Sequence, residues 1–144
     1  MNGYGYSLGW SVEDNIYNAL PTEYKQAFGK QFKTIVGHWA DSTESQSYVT
    51  WDRNMCSPAE AELFGKRTNC VQAEFDALTA SAQFNYYRTT SHRKHTNLSD
   101  RWWQRSPSDN TNSGQYVCCV NLSGSSVTTI THSYVYGLAP FGCI

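Results

Sequence analysis

One break in composition limits the fold of this chain more than any other feature. Between Ser106 and Tyr136 the single charged residue is Asp109, while Ser, Thr and Asn fill fourteen of the thirty-one positions. A stretch this poor in Glu, Lys, Ala and Leu is a weak helix former. Its β-rich pieces at 115–122 and 126–131, divided by the Ser123-Gly124-Ser125 turn and preceded by Gly114, predict strands.

The residues before the break read as helical. Val12, Ile16, Ala19 and Leu20 share one helical face behind Ser11 and Asp14, which imitate a capping box, so a helix is expected over 11–20, ended by Pro21. Thr22 then caps a second helix, in which Tyr24, Ala27, Phe28, Phe32 and Ile35 keep helical spacing as far as Gly37 and Lys25, Lys30 and Lys33 take the other face. Residues 38–56 are mixed and carry no assigned element, although Tyr48 to Trp51 are strand-like. In Ser57-Pro58-Ala59-Glu60, Ser caps, Pro takes the first helical position, Glu reaches back from N3, and Gly65 closes a short helix over 58–64. Val71, Phe75, Leu78 and Ala82 suggest one more helical stretch. The expected class is α+β, with a helical N-terminal half and a small antiparallel sheet with polar loops in the C-terminal half.

A chain of 144 residues has room for a single domain, 1–144. With 40% hydrophobic and 16% charged residues it can bury a core. Its net charge of -1 offers no field for nucleic acid or an anionic membrane. No run approaches the ~20 apolar residues of a membrane span, so no membrane insertion is expected, and MNGYGYSLGW lacks the basic start of a signal peptide. So Gly- and Tyr-rich an opening reads like the interior of a domain, and the chain is expected to be a soluble part of a larger protein.

Catalytic and metal chemistry find little footing. Cys56, Cys70, Cys118, Cys119 and Cys143 are odd in number and form no CxxC, so all five are read as thiols. His92 and His95 stand at i, i+3 among cations without a third ligand, no acidic cluster suggests calcium, and no metal or other cofactor is expected. GxSxG, GxGxxG, HExxH and a P-loop are absent. Trp102, Trp103 and Arg105 could form a ligand platform, but the favoured reading puts one Trp in the core and has Arg105 tie loops together. Aromatic residues reach 15%, and the segment 106–136 mixes Tyr with Ser, Asn, Thr and Gly as antibody recognition loops do.

Several strings resemble a known family. Trp102-Trp103-Gln104-Arg105-Ser106-Pro107 and the ending Tyr136-Gly137-Leu138-Ala139-Pro140-Phe141-Gly142-Cys143-Ile144 are similar to the WWLRSP and terminal GV(R/A)PxFxI hallmarks of a domain of phages and gut bacteria. Asn15 to Pro21 and Cys56 to Gly65 look like that family's upstream helix motifs, which extends the resemblance over roughly 10–144. Gln104 stands where the family has Leu, and Phe141-Gly142 alters the terminal order.

The resemblance implies a C-type-lectin-like fold, akin to the formylglycine-generating enzymes and to the variable proteins of diversity-generating retroelements, in which adenine-directed errors rewrite exposed codons on a constant scaffold. It further implies a non-catalytic ligand- or receptor-binding module that contacts a host-surface protein or glycan, on a virion or cell surface, with a homotrimer suggested by analogy to fibre proteins. Trp102, Arg105, Gly137 and Pro140 would be scaffold. Ser108, Asp109, Asn110, Asn112, Gln115, Tyr116, Asn121, Ser133, Tyr134 and Tyr136 would be the contact set within a variable segment 106–136. The alternatives are a virion structural or decoration domain and a formylglycine-generating-type oxidase, although the oxidase's paired reactive cysteines find no match here.

Overall fold

The computed structural model describes residues 8–27, 31–39, 46–78, 83–94, 100–109, 116–130 and 137–142. Within them the chain is α+β. Helices α1 (Leu8–Ala19) and α2 (Thr22–Ala27) lead into an antiparallel hairpin of β1 (Phe32–Trp39) and β2 (Gln46–Arg53). Then follow α3 (Glu60–Phe64), α4 (Gln72–Leu78), a 3₁₀ turn (Asn85–Arg88) and α5 (Thr90–Arg93). A second antiparallel sheet follows, of β3 (Trp102–Pro107), β4 (Tyr116–Val120) and β5 (Ser126–Ile130), in that spatial order.

The hairpin corrects the expected helical N-terminal half. The helix begun at Thr22 stops at Ala27, and Phe32 to Trp39 pair with Gln46 to Arg53 in unbroken register. The β-branched run Thr34-Ile35-Val36 suits a pleated surface, with Thr34 and Val36 buried and Lys33 exposed beside Asp52. The helical spacing of Phe32 and Ile35 loses to this pairing, whose partner strand lies well downstream. The first helix also starts earlier than expected, which puts Ser11 inside α1 rather than at its cap.

At α3 the expected helix forms two residues late. Glu62, not Glu60, is the N3 residue, and its Oε2 accepts the Ala59 N–H at 2.8 Å. Gly65 closes the helix at φ 65, in the left-handed region where glycine is favoured, and its N–H reaches the Ala61 carbonyl at 2.9 Å. The expected helix over 71–82 appears as α4, ending at Leu78, and 79–82 lie outside the described residues.

The apolar core gathers Leu63, Tyr87, Trp102 and Val120, flanked by Phe64, Phe84 and Ala139. Trp102 is buried and its Nε1–H meets the Arg93 carbonyl at 3.0 Å, so the ring's polar tip is satisfied. The C-terminal segment fastens to this core at two points. Trp103 donates its N–H to the Gly137 carbonyl at 2.9 Å, and Cys56 and Phe141 exchange backbone hydrogen bonds at 3.0 and 2.9 Å. Phe141 stacks on Phe32 of β1 and meets Phe84 edge-on, and Phe84 and Tyr87 carry the run of rings on to Trp102 of β3.

Candidate functional site

β4 and β5 run side by side with Tyr116 opposite Ile130 and Val120 opposite Ser126. Their connection is the Asn121–Ser125 turn, so Tyr116 and Ile130 share the other end of the hairpin. Ser108 joins that end, because its N–H donates to the Tyr116 carbonyl at 3.0 Å. Asp109 and Tyr116, which flank 110–115, and Ile130, which precedes 131–136, therefore lie at one end of the sheet, while Gly137, which follows 131–136, is held beside Trp102 and Trp103 toward the other end.

The root of this end is built by the segment 67–71, which lies antiparallel to the end of β3. Val71 donates to the Pro107 carbonyl at 3.2 Å, Asp109 donates to the Asn69 carbonyl at 2.8 Å, and Cys70 bridges Ser108 between them. Arg67 pairs with the Asp109 carboxylate through Nη2, while its Nε reaches the Cys70 carbonyl at 2.9 Å. A single buried carboxylate organises the segment from behind. Glu60 accepts the N–H groups of Thr68, Asn69 and Cys70 at 2.9 Å each, and the Ser126 hydroxyl from β5. Burial pushes the Glu60 carboxyl up, but these donors outweigh it and hold the group below its ordinary 4.5.

Behind the root lies a buried ionic cluster centred on Arg105 of β3. Its guanidinium donates from Nη1 and Nη2 to Glu62 at 2.5 and 2.6 Å, from Nη1 to the Ser57 carbonyl at 2.9 Å, and from Nε to the Ile35 carbonyl at 2.9 Å. This two-pronged geometry suits guanidinium and carboxylate. Glu74 of α4 accepts the Gly37 N–H at 2.5 Å and the Ser106 hydroxyl, tying the β1–β2 hairpin to β3. The approach is close: a Cβ on Gly37 would stand 3.0 Å from both Glu74 Oε2 and Pro107 Cγ.

The contact set expected from sequence divides three ways. Asp109 and Tyr116 stand together at the root, half-buried, and Ser108 is beside them but buried. Asn121 is at the far end of β4, where its Oδ1 accepts the N–H groups of Ser123 and Ser125 at 3.0 Å and the Ser123 hydroxyl at 2.6 Å. Asn110, Asn112, Gln115, Ser133, Tyr134 and Tyr136 lie outside the described residues. The scaffold role expected for Arg105 and Trp102 agrees with their burial, and Gly137 is bonded to β3 as described above. Sequence reasoning missed Glu60, Arg67 and Asn69 as builders of the root: Glu60 reads as a helix cap, and the partners of Arg67 at Asp109 and of Asn69 at Ser126 are brought near only by the fold.

The thiols offer little reactivity. Cys56, Cys70, Cys118 and Cys119 are free and buried. Burial pushes the Cys56 thiol up to about 12 and Cys119 to about 11, and holds Cys70 and Cys118 protonated as well. His92 stacks on Tyr86 at 4.3 Å, with Nδ1 2.6 Å from the Tyr86 carbonyl. Among the described residues, no group of three or more His, Cys, Asp or Glu could hold a metal ion, and no helix is long and apolar enough to cross a membrane. No protein-family model matches the chain, nor does any curated protein or solved structure.

Proposed function

We propose that this chain is a non-catalytic ligand-binding module whose recognition surface is carried by 110–115 and 131–136, together with Asp109 and Tyr116. The pairing of Tyr116 with Ile130 supports this reading most strongly, because the residue that follows 110–115 and the residue that precedes 131–136 stand side by side at one end of one sheet. A recognition face needs Tyr for contact area and small polar residues for adaptable hydrogen bonds, on a frame that holds its shape when the loops change. The Glu60 and Arg67 contacts and the Arg105 cluster supply such a frame, built from residues outside the segments themselves.

The proposed scaffold is C-type-lectin-like, in keeping with the burial of Trp102-Trp103-Gln104-Arg105-Ser106-Pro107 as a core strand that the C-terminal segment joins at Gly137. In this reading the chain belongs to a phage or bacterial variable protein diversified by a retroelement. It faces a host-surface protein or glycan from a virion or cell surface. The burial of four thiols gives the oxidase alternative no support.

Binding of labelled protein to a glycan array and to intact bacterial cells tests the proposal. The wild type binds a subset of either panel, and the Tyr134→Ala/Tyr136→Ala double variant loses that binding while keeping its melting temperature. A central Tyr anchor accounts for about 2 kcal/mol, so each truncation weakens binding roughly thirtyfold. Unchanged binding in a folded double variant contradicts the site. A stable oligomer by light scattering that covers Tyr116 favours the decoration domain instead.

A further inference from the structure

Positive charge is unevenly spread along this chain. No Asp or Glu occurs between Asp76 and Asp100, yet Arg88, Arg93 and Lys94 fall there within seven residues. In the fold they belong to the 3₁₀ turn and to α5 and its end, which pack against the Asn121–Ser125 turn. That is the end of β4 and β5 opposite Tyr116 and Ile130. Among the described residues, no carboxylate forms an ion pair with any of these three cations. Arg93 is taken up by the frame: its Nε donates to the Gly124 carbonyl at 3.1 Å, Nη1 to the Tyr87 carbonyl and Nη2 to the Thr90 hydroxyl at 2.9 Å, and the guanidinium lies 5.0 Å over the Phe64 ring. The Lys94 stem lies against the turn as well, since a Cβ on Gly124 would stand 3.2 Å from Lys94 Cγ. Arg88 and Lys94, before and after this anchor in the chain, are exposed.

An exposed aromatic pair belongs to the same turn and helix. Tyr86 is 61% exposed and stacks on His92, with ring centroids 4.3 Å apart and 15° between the planes. His92 Nδ1 donates to the Tyr86 carbonyl at 2.6 Å, and the buried Tyr87 meets Tyr86 at 5.1 Å nearly at right angles. Rings that are held in place yet left in water are a preformed contact surface. Cations fixed near one another repel, and an anion that reaches both relieves the repulsion at little ordering cost, because the backbone between them is already fastened.

We infer that Tyr86, Arg88, His92 and Lys94 form a second binding surface, whose ligand is an acidic polysaccharide: the two cations take its sulfate or carboxylate groups, and the Tyr86–His92 pair packs against a sugar ring. With a net charge of -1 the positive field is confined to this patch, and it fades within about 8 Å at physiological salt. A nucleic acid or an anionic bilayer presents charge over a far wider area than two exposed cations can match. A polysaccharide lays a spaced row of anions along a narrow strip, and the exposed Thr89, Ser91 and Ser123 suit its hydroxyls. This surface stands apart from the recognition face at 110–115 and 131–136, and its test does not depend on that face.

The experiment measures binding of the full chain to labelled dextran sulfate and polygalacturonate at about 0.15 M salt, beside neutral dextran, single-stranded DNA and phosphatidylserine vesicles. The wild type is expected to bind both acidic polysaccharides more tightly than DNA or vesicles, and to leave neutral dextran unbound. Arg88→Gln/Lys94→Gln is expected to weaken that binding roughly tenfold, and Tyr86→Ala to weaken it as well. Lys25→Gln/Lys33→Gln, which removes the same charge from α2 and β1, leaves it unchanged, as does Tyr134→Ala/Tyr136→Ala. No binding to either acidic polysaccharide overturns the inference. So do an equal loss in the Lys25/Lys33 variant, an unchanged affinity in Tyr86→Ala, and tighter binding to DNA or vesicles. Should a patch variant fail to fold, amide NMR shifts of the wild type titrated with polygalacturonate decide: shifts at 86–94 are expected, and shifts confined to other residues overturn the inference.

Discussion

Arg105 holds both carboxylate oxygens of Glu62 in a buried, two-pronged ion pair, at 2.5 and 2.6 Å. The same guanidinium reaches backbone carbonyls at Ile35 and Ser57, so one side chain joins β3 to the first hairpin and to the entry of α3. Burial alone would lower the Arg105 pKa, but Glu62 and its neighbours raise it, and the group stays charged.

Arg105→Met leaves Glu62 buried without its counter-ion. Losing one partner of a buried pair costs about 3–5 kcal/mol, a large share of the stability of a domain this size. Equilibrium urea unfolding of the variant is expected to show a midpoint far below that of the wild type. A shift worth under about 1 kcal/mol would mean that the pair is dispensable to the fold.

Glu60 sets the acid limit. Its carboxyl is held below 4.5 in the folded chain, so its contribution is present above that pH and is lost as pH falls further. Glu60→Gln is expected to flatten the fall in stability between pH 5 and 3 and to speed amide hydrogen exchange at Thr68, Asn69 and Cys70. Burial raises the Glu13 and Glu74 carboxyls to about 7, so their contributions run the other way and decline as pH rises from 4.5 toward 7. Equal acid slopes in wild type and variant would contradict the role given to Glu60.

Cys56, Cys70, Cys118 and Cys119 are buried and protonated, so a Cys143→Ser variant is expected to show no rapid reaction with a thiol reagent at pH 8. Four thiols then react when the chain is unfolded in urea. One fast thiol in the folded variant would identify a site that opens readily.

Much of the second sheet was legible because its signals are local. The β-rich pieces and the Ser-Gly-Ser turn appear as β4, β5 and the Asn121–Ser125 turn, with Gly124 at φ 80. Gly65 likewise closes α3 where its sequence position indicates. The β1–β2 hairpin was not legible, since Phe32 and Ile35 satisfy a helical period as well as a strand and only pairing with 46–53 decides between them. The buried carboxylates were hidden for a different reason. Glu is ordinarily a surface residue, and what draws Glu13 and Glu74 inside is donors at Ser57, Gly37 and Ser106, all more than thirty residues away in sequence. Glu60 could be read as a helix cap from sequence, yet its carboxylate serves the loop after the helix.

The central claim is that a fixed frame presents two changeable segments, and sequencing the coding region across the source population tests it most directly. The account predicts substitutions concentrated at adenine-containing codons within 106–136, densest in 110–115 and 131–136. Glu60, Arg67, Trp102 and Arg105 stay constant. An unvarying 106–136, or changes spread equally through the buried frame, would contradict it.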